Sequence, residues 1–170
     1  MTVLFVAVAA LGYAFAEPIE RVSAVFLEHF GRAGLFAAVF IMDAIPFTTH
    51  EPVLFLAYTG GVTFWQVFGL AGTASVLSGI LGWTMGRVLA RWRWLGDLFE
   101  RSQVGPFLRR YGVVAIAAAA LTPFPYAITT WGAGMVGVRI EHLMIGALFR
   151  YPKVLFYLTI MALGWEATTP

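Results

Sequence analysis

The sequence predicts an all-α integral membrane protein. It comprises two inverted units, each a re-entrant helical hairpin followed by a transmembrane helix, with N-terminal apolar and amphipathic helices in front. Three observations predict this. First, 60% of the 170 residues are hydrophobic and only 12% charged, where a soluble domain carries about 25% charged residues. Second, two apolar segments are interrupted mid-length by prolines and polar residues. Third, each interrupted segment is followed by an apolar stretch long enough to cross about 30 Å of hydrocarbon. The absence of cysteine excludes disulfides and thiolate metal sites. The boundaries predicted are 1–34, 35–88, 89–112, 113–165 and a tail, 166–170.

Residues 3–16 are apolar but short for a full span at about 1.5 Å per residue. They either cross with help from their flanks or lie in the interface. Ala14-Phe15-Ala16 resembles a signal-peptidase site, but no Lys or Arg precedes it, so retention is expected. Pro18 suits a first helical turn. From there Ile19, Val22, Phe26 and Phe30 share one face, while Glu20, Glu28 and Arg32 lie off it. This is the pattern of an amphipathic surface helix, stopped at Gly31. Residues 35–61 are apolar at both ends, but Asp43 to Pro52 holds two acids, two prolines, two threonines and a histidine. A straight crossing would put these groups at mid-bilayer, where bare backbone costs several kcal/mol per unpaired group. Two short helices meeting at a sheltered bend avoid that. Residues 63–88 then form the clearest transmembrane helix. Small residues recur along it at steps of three or four, which lets another helix approach closely.

Residues 87–112 carry six arginines interleaved with tryptophans and other apolar side chains. Between two apolar segments this reads as an interfacial connector, not a nucleic-acid surface, and the positive-inside rule makes it cytoplasmic. Residues 113–137 repeat the broken pattern, and residues 142–165 can cross the membrane. Ile45-Pro46-Phe47-Thr48-Thr49 is answered by Thr122-Pro123-Phe124-Pro125-Tyr126, and Gly60-Gly61 by Gly132-Ala133-Gly134. A hairpin returns to its own side and the helix after it crosses, so the second unit is expected upside down relative to the first.

Ionisable groups at membrane depth are expensive, from about 2.5 kcal/mol upward at a helix centre, and mark functional sites. The candidates for substrate or ion binding are Asp43, His50, Glu51, Arg87, Arg150 and Lys153. Asp43 and Glu51 flank the first break and suit proton carriage, and His50 adds an exchangeable imidazole. Arg150 sits deep in the last span and needs a carboxylate, free carbonyls or an anionic ligand. Lys153 can snorkel instead. Arg87 ends a span and suits either an anchor or a ligand. Pro46, Pro123, Pro125, Tyr126, Gly132 and Gly134 are expected to shape the site. No nucleophile elbow, phosphate loop or metal-ligand spacing occurs, so neither an enzyme nor a cofactor is expected.

At these residues the sequence resembles the DedA superfamily of SNARE-associated or VTT-domain membrane proteins, and most of all its Golgi-apparatus membrane protein-like branch. The resemblance covers roughly 35–164. It rests on Gly82-Trp83-Thr84-Met85-Gly86-Arg87, on the run from Phe107 to Gly112, and on Leu121 to Leu158 with its Pro-x-Pro and Ala-Gly steps. It implies two embedded hairpins, a bacterial inner membrane, and movement of an anionic lipid between leaflets (undecaprenyl phosphate or a phospholipid), coupled to protons in some bacterial members. Ala120 and Tyr126 stand where many bacterial members have arginines, and Asp43 and Glu51 are closer together than the family's usual acids. Alternatives are a proton-coupled small-solute transporter and a non-transporting assembly factor, with a homo-oligomer also allowed.

Overall fold

The computed structural model describes residues 16–45, 48, 50–92, 94, 101, 104–122 and 125–166. Pro46, Pro123 and the N-terminal apolar stretch lie outside the described residues, as do most of the connector between 93 and 103 and the tail from 167. Among the described residues all regular structure is helical. The helices are α1 (Ala16–Ala44), α2 (Glu51–Thr59), α3 (Phe64–Leu89), α4 (Val104–Leu121), α5 (Tyr126–Met135), α6 (Ile140–Ala147) and α7 (Arg150–Glu166). Two segments, Phe64–Leu89 and Ile140–Trp165, are long and apolar enough to cross a membrane. The second is interrupted between α6 and α7. Pro152 has no N–H for the Leu148 carbonyl four residues back, and Tyr151 N–H donates to that carbonyl instead, at 3.1 Å.

Among the described residues, four glycines with positive φ punctuate the helices. Gly31 (φ 55°) breaks α1 and Gly112 (φ 35°) breaks α4, each between a leading stretch and an apolar helix. Gly61 (φ 93°) and Gly137 (φ 75°) form the turns before the two long segments. Those turns share one bonding pattern. Val62 N–H reaches the Ala57 carbonyl at 3.0 Å, and Val138 N–H reaches Ala133 at 2.9 Å. Gly61 N–H donates to Tyr58 at 3.1 Å, and Gly137 N–H to Gly134 at 3.2 Å. These are glycine-closed helix ends. The counterpart of Gly61 is therefore Gly137. Gly132 and Gly134, which the sequence pairs with it, lie inside α5.

The packing fixes the directions. Trp83 Nε1–H donates to the Val138 carbonyl at 2.9 Å, Arg150 meets Ser75, and Tyr151 packs on Phe68. Residue numbers rise along one long segment as they fall along the other, so the two are antiparallel. The second half of α1 runs with α3, since Asp43 meets Ser75 and Leu35 and Val39 share a core with Val67 and Ala71. Helix α2 runs with α7, bringing Glu51 to Lys153 and Phe55 to Trp165. Helix α4 runs with α6, since Gly112 neighbours His142 and Ile116 abuts Gly146. Helix α5 runs with α3, setting Tyr126 at Gly79, Thr130 at Gly82 and the Trp131 carbonyl at Gly86. Helices α1 and α2 thus run in opposite directions, as do α4 and α5. Helices α1 and α5 lie along α3, α2 lies along α7, and α4 lies along α6.

Two apolar cores result. One joins Leu35, Val39, Leu54, Ala57, Val67 and Val154. The other joins Ile116, Ala120, Tyr126, Ala133, Val76 and Leu143. The boundary between them falls at Ser75 on α3 and at the α6–α7 interruption.

Candidate functional site

A charged cluster occupies that boundary. Asp43 lies in the last turn of α1, at the negative end of its own helix dipole, where a carboxylate is locally disfavoured. Its neighbours compensate. Arg150 Nη2 donates to Asp43 Oδ2, as does the Ser75 hydroxyl. His50 Nδ1 lies 2.7 Å from the other oxygen, Oδ1. The Arg150 nitrogen also approaches His50 Nδ1 at 3.3 Å and Ser75 Oγ at 3.4 Å. A single Nδ1 cannot both donate to the carboxylate and accept from the guanidinium. The shorter contact places the hydrogen on Nδ1, facing Asp43. That commitment explains why His50, the N-cap residue of α2, makes no side-chain capping bond.

Arg150 is only 1% exposed. The α6–α7 interruption places it, and the neighbouring Tyr151 ring fixes the interruption against α3. That ring lies over Gly72, and its hydroxyl is 3.0 Å from Thr73 Oγ1. The Arg150 guanidinium also stacks 4.5 Å from the centroid of Tyr126, the first residue of α5. At each break a threonine hydroxyl turns back onto carbonyls of the preceding helix. The Thr48 hydroxyl donates to the Met42 and Ile45 carbonyls, and Thr122 Oγ1 donates to Ala118 at 2.8 Å.

A second, looser pair lies one helical turn further along α7. Lys153 is 8% exposed and packs within the protein. Its Nζ is 3.8 Å from Glu51 Oε1 and 3.5 Å from the Thr122 carbonyl. Among the described residues, Glu51 Oε2, Arg150 Nε and the Tyr126 hydroxyl are buried without a hydrogen-bond partner.

The structure therefore brings together Asp43, His50, Arg150 and Tyr126, with Glu51 and Lys153 beside them. Arg87 is not among them. It lies in the last turn of α3, exposed, with its guanidinium 4.5 Å over the Trp83 ring. That is about three turns from Ser75. Pro125 caps α5 with extended backbone. Gly134 shapes helix packing, not the polar cluster, because a Cβ there would overlap the Trp83 carbonyl. Gly132 is buried on the same helix. The sequence did not single out Ser75 or Tyr151. Ser75 looks like one more small residue in a packing stripe, and only the arrival of Asp43 gives it a polar role. The described residues hold no group of three or more His, Asp or Glu side chains able to bind a metal ion.

No family model, curated protein or solved structure matches the chain.

Proposed function

We propose that this protein is a membrane transporter of the DedA/VTT type that moves an anionic lipid between leaflets, its head group passing through the polar cluster. One observation carries the reading. Both helix breaks and the interruption in the last span meet at one buried site, which gathers two cations and two carboxylates between the apolar cores. Broken helices converging on ionisable groups are the plan of transporters with inverted repeats.

The element lengths support the same topology. Helices α2 and α5 have 9 and 10 residues, about 14–15 Å at 1.5 Å per residue. That is half of the hydrocarbon thickness, so each short pair suits a re-entrant hairpin. The antiparallel long segments suit an inverted pair of units. The cluster carries formal charges of two plus and two minus without His50, which keeps its burial tolerable while offering cations to an anion. An assembly role for the glycine-rich face of α3 is less well supported, because Gly79, Gly82 and Gly86 are already covered by α5.

The test is lipid movement in vesicles of phosphatidylcholine doped with dye-labelled phosphatidylglycerol. Wild-type protein is expected to expose inner-leaflet label to dithionite, and Asp43→Asn and Arg150→Ala, recovered folded, are expected not to. Protection of the inner-leaflet label equal to that in protein-free vesicles would refute the reading.

A further inference from the structure

The two ion pairs of the cluster differ in kind, and the difference assigns them different work. The Asp43–Arg150 pair is closed. Its carboxylate accepts from Arg150 and Ser75 and faces His50, and side-chain exposure is 5% for Asp43 and 2% for Arg150. It ties the end of α1 and the middle of α3 to the start of α7, and so joins the two units. The Glu51–Lys153 pair is open. Charge-assisted N–H···O bonds close to about 2.7–2.9 Å, yet Nζ stops 3.8 Å from Glu51 and 3.5 Å from the Thr122 carbonyl. The Tyr157 ring face lies 5.6 Å from the ammonium. An ammonium has three donors to satisfy. Here it is nine-tenths buried, and among the described residues its one hydrogen bond is the long one to the Thr122 carbonyl, with the Glu51 oxygen further off. Glu51 is the member with access to the outside, at 20% side-chain exposure, and its second oxygen bonds to nothing described.

Resting on the transport reading, we propose that Lys153 is the anion ligand and that a phosphoryl group binds it by displacing Glu51, while Asp43–Arg150 stays closed as a clasp. The ligand chemistry follows from the donors left over. Lys153 lies three residues from Arg150, on the same face of α7. Arg150 and Tyr126, which stack on each other, also carry buried donors, Nε and the hydroxyl, without a partner among the described residues. A phosphoryl group brings more anionic oxygens than a carboxylate, so it can satisfy more than one of the ammonium's donors. It leaves Arg150 Nη2 with Asp43. Exchange occurs at the pair that is already apart, and Glu51 is the carboxylate free to leave.

The experiment uses the purified full-length protein in detergent and two probes, dihexanoyl phosphatidic acid and inorganic phosphate, with binding followed by calorimetry. Lys153→Gln is expected to weaken binding at least tenfold, and Lys153→Arg to stay within about threefold of wild type. Glu51→Gln is expected to tighten binding several-fold, because the competing charge is gone. A purely structural ion pair would give no gain in Glu51→Gln. Preference for the short-chain lipid identifies a lipid head group, and equal affinity for inorganic phosphate identifies a free phosphate. Unchanged binding in folded Lys153→Gln, or no binding of either probe by wild type, overturns the assignment. The vesicle assay separates the two failures. If wild type and Lys153→Gln move lipid equally, the Lys153 assignment falls and the transport reading stands. If wild type moves none, the transport reading falls.

Discussion

Removing one partner of the Asp43–Arg150 pair should damage the fold, and removing both should repair much of that damage. Arg150 is 1% exposed and Asp43 6%, so either single substitution strands a charge away from water. Breaking a buried pair this way costs about 3–5 kcal/mol. Asp43→Asn leaves the Arg150 guanidinium with only the Tyr126 ring, His50 and Ser75. Arg150→Gln leaves the carboxylate with His50 and Ser75. In the double variant both charges are gone, and the two amides retain hydrogen-bonding groups beside Ser75 and His50. Additive single costs would sum to about 6–10 kcal/mol. The double variant is expected to lose no more than either single, a coupling of at least about 3 kcal/mol. Chemical unfolding of the detergent-solubilised protein measures all four corners of the cycle. Additive costs, or singles within about 0.5 kcal/mol of wild type, would show that the pair does not join the two units.

Three further pairs of substitutions probe the frame around the site. Gly86→Ala should destabilise by about 1–3 kcal/mol, since its Cβ would overlap the Trp131 carbonyl, while Gly69→Ala should be tolerated because nothing lies within 4 Å; thermal unfolding compares the two. Gly61→Ala and Gly137→Ala should each cost about 1–2 kcal/mol purely through their positive φ, as open space surrounds both, and unequal costs in the same melts would argue that the two turns are not equivalent. Tyr126→Phe should leave stability within about 0.5 kcal/mol, since the hydroxyl has no partner among the described residues. Tyr126→Ala should lose about 3–5 kcal/mol in the same melts, by emptying the core and uncovering Arg150.

Much of this architecture is legible in the sequence because so apolar a chain has few ways to hide a break in a helix. A break in an apolar run must be sheltered, so the Asp43–Pro52 and Leu121–Tyr126 stretches announce their own convergence. The stop at Gly31 and the small-residue face of α3 are legible for the same reason. Asp43, His50 and Arg150 stand out as costly charges, and the structure places them within one cluster. What sequence does not carry is which costs cancel. Arg87 and Arg150 look alike as letters, yet one stacks on a tryptophan at a helix end and the other closes on a carboxylate 107 positions away. Ser75 and Gly79 read as packing residues because their polar neighbours come from other helices. The match of Gly61 to Gly137 is hidden because helix-end geometry, not the glycine pair itself, defines the turn. Lys153 is the clearest case. Its stem allows snorkelling, and only the fold around it decides that the ammonium stays in.

The inverted pair of re-entrant hairpins is the claim on which the rest depends, and side-specific labelling tests it most directly. The chain has no cysteine, so single cysteines can be introduced at His29, Thr63, Arg110 and Arg139 and labelled in sealed vesicles with a membrane-impermeant maleimide. Re-entry predicts that positions 29 and 63 label from one side, and 110 and 139 from the other. Straight crossings by residues 35–61 and 113–137 would instead put 29 opposite 63 and 110 opposite 139, and that result would contradict the account.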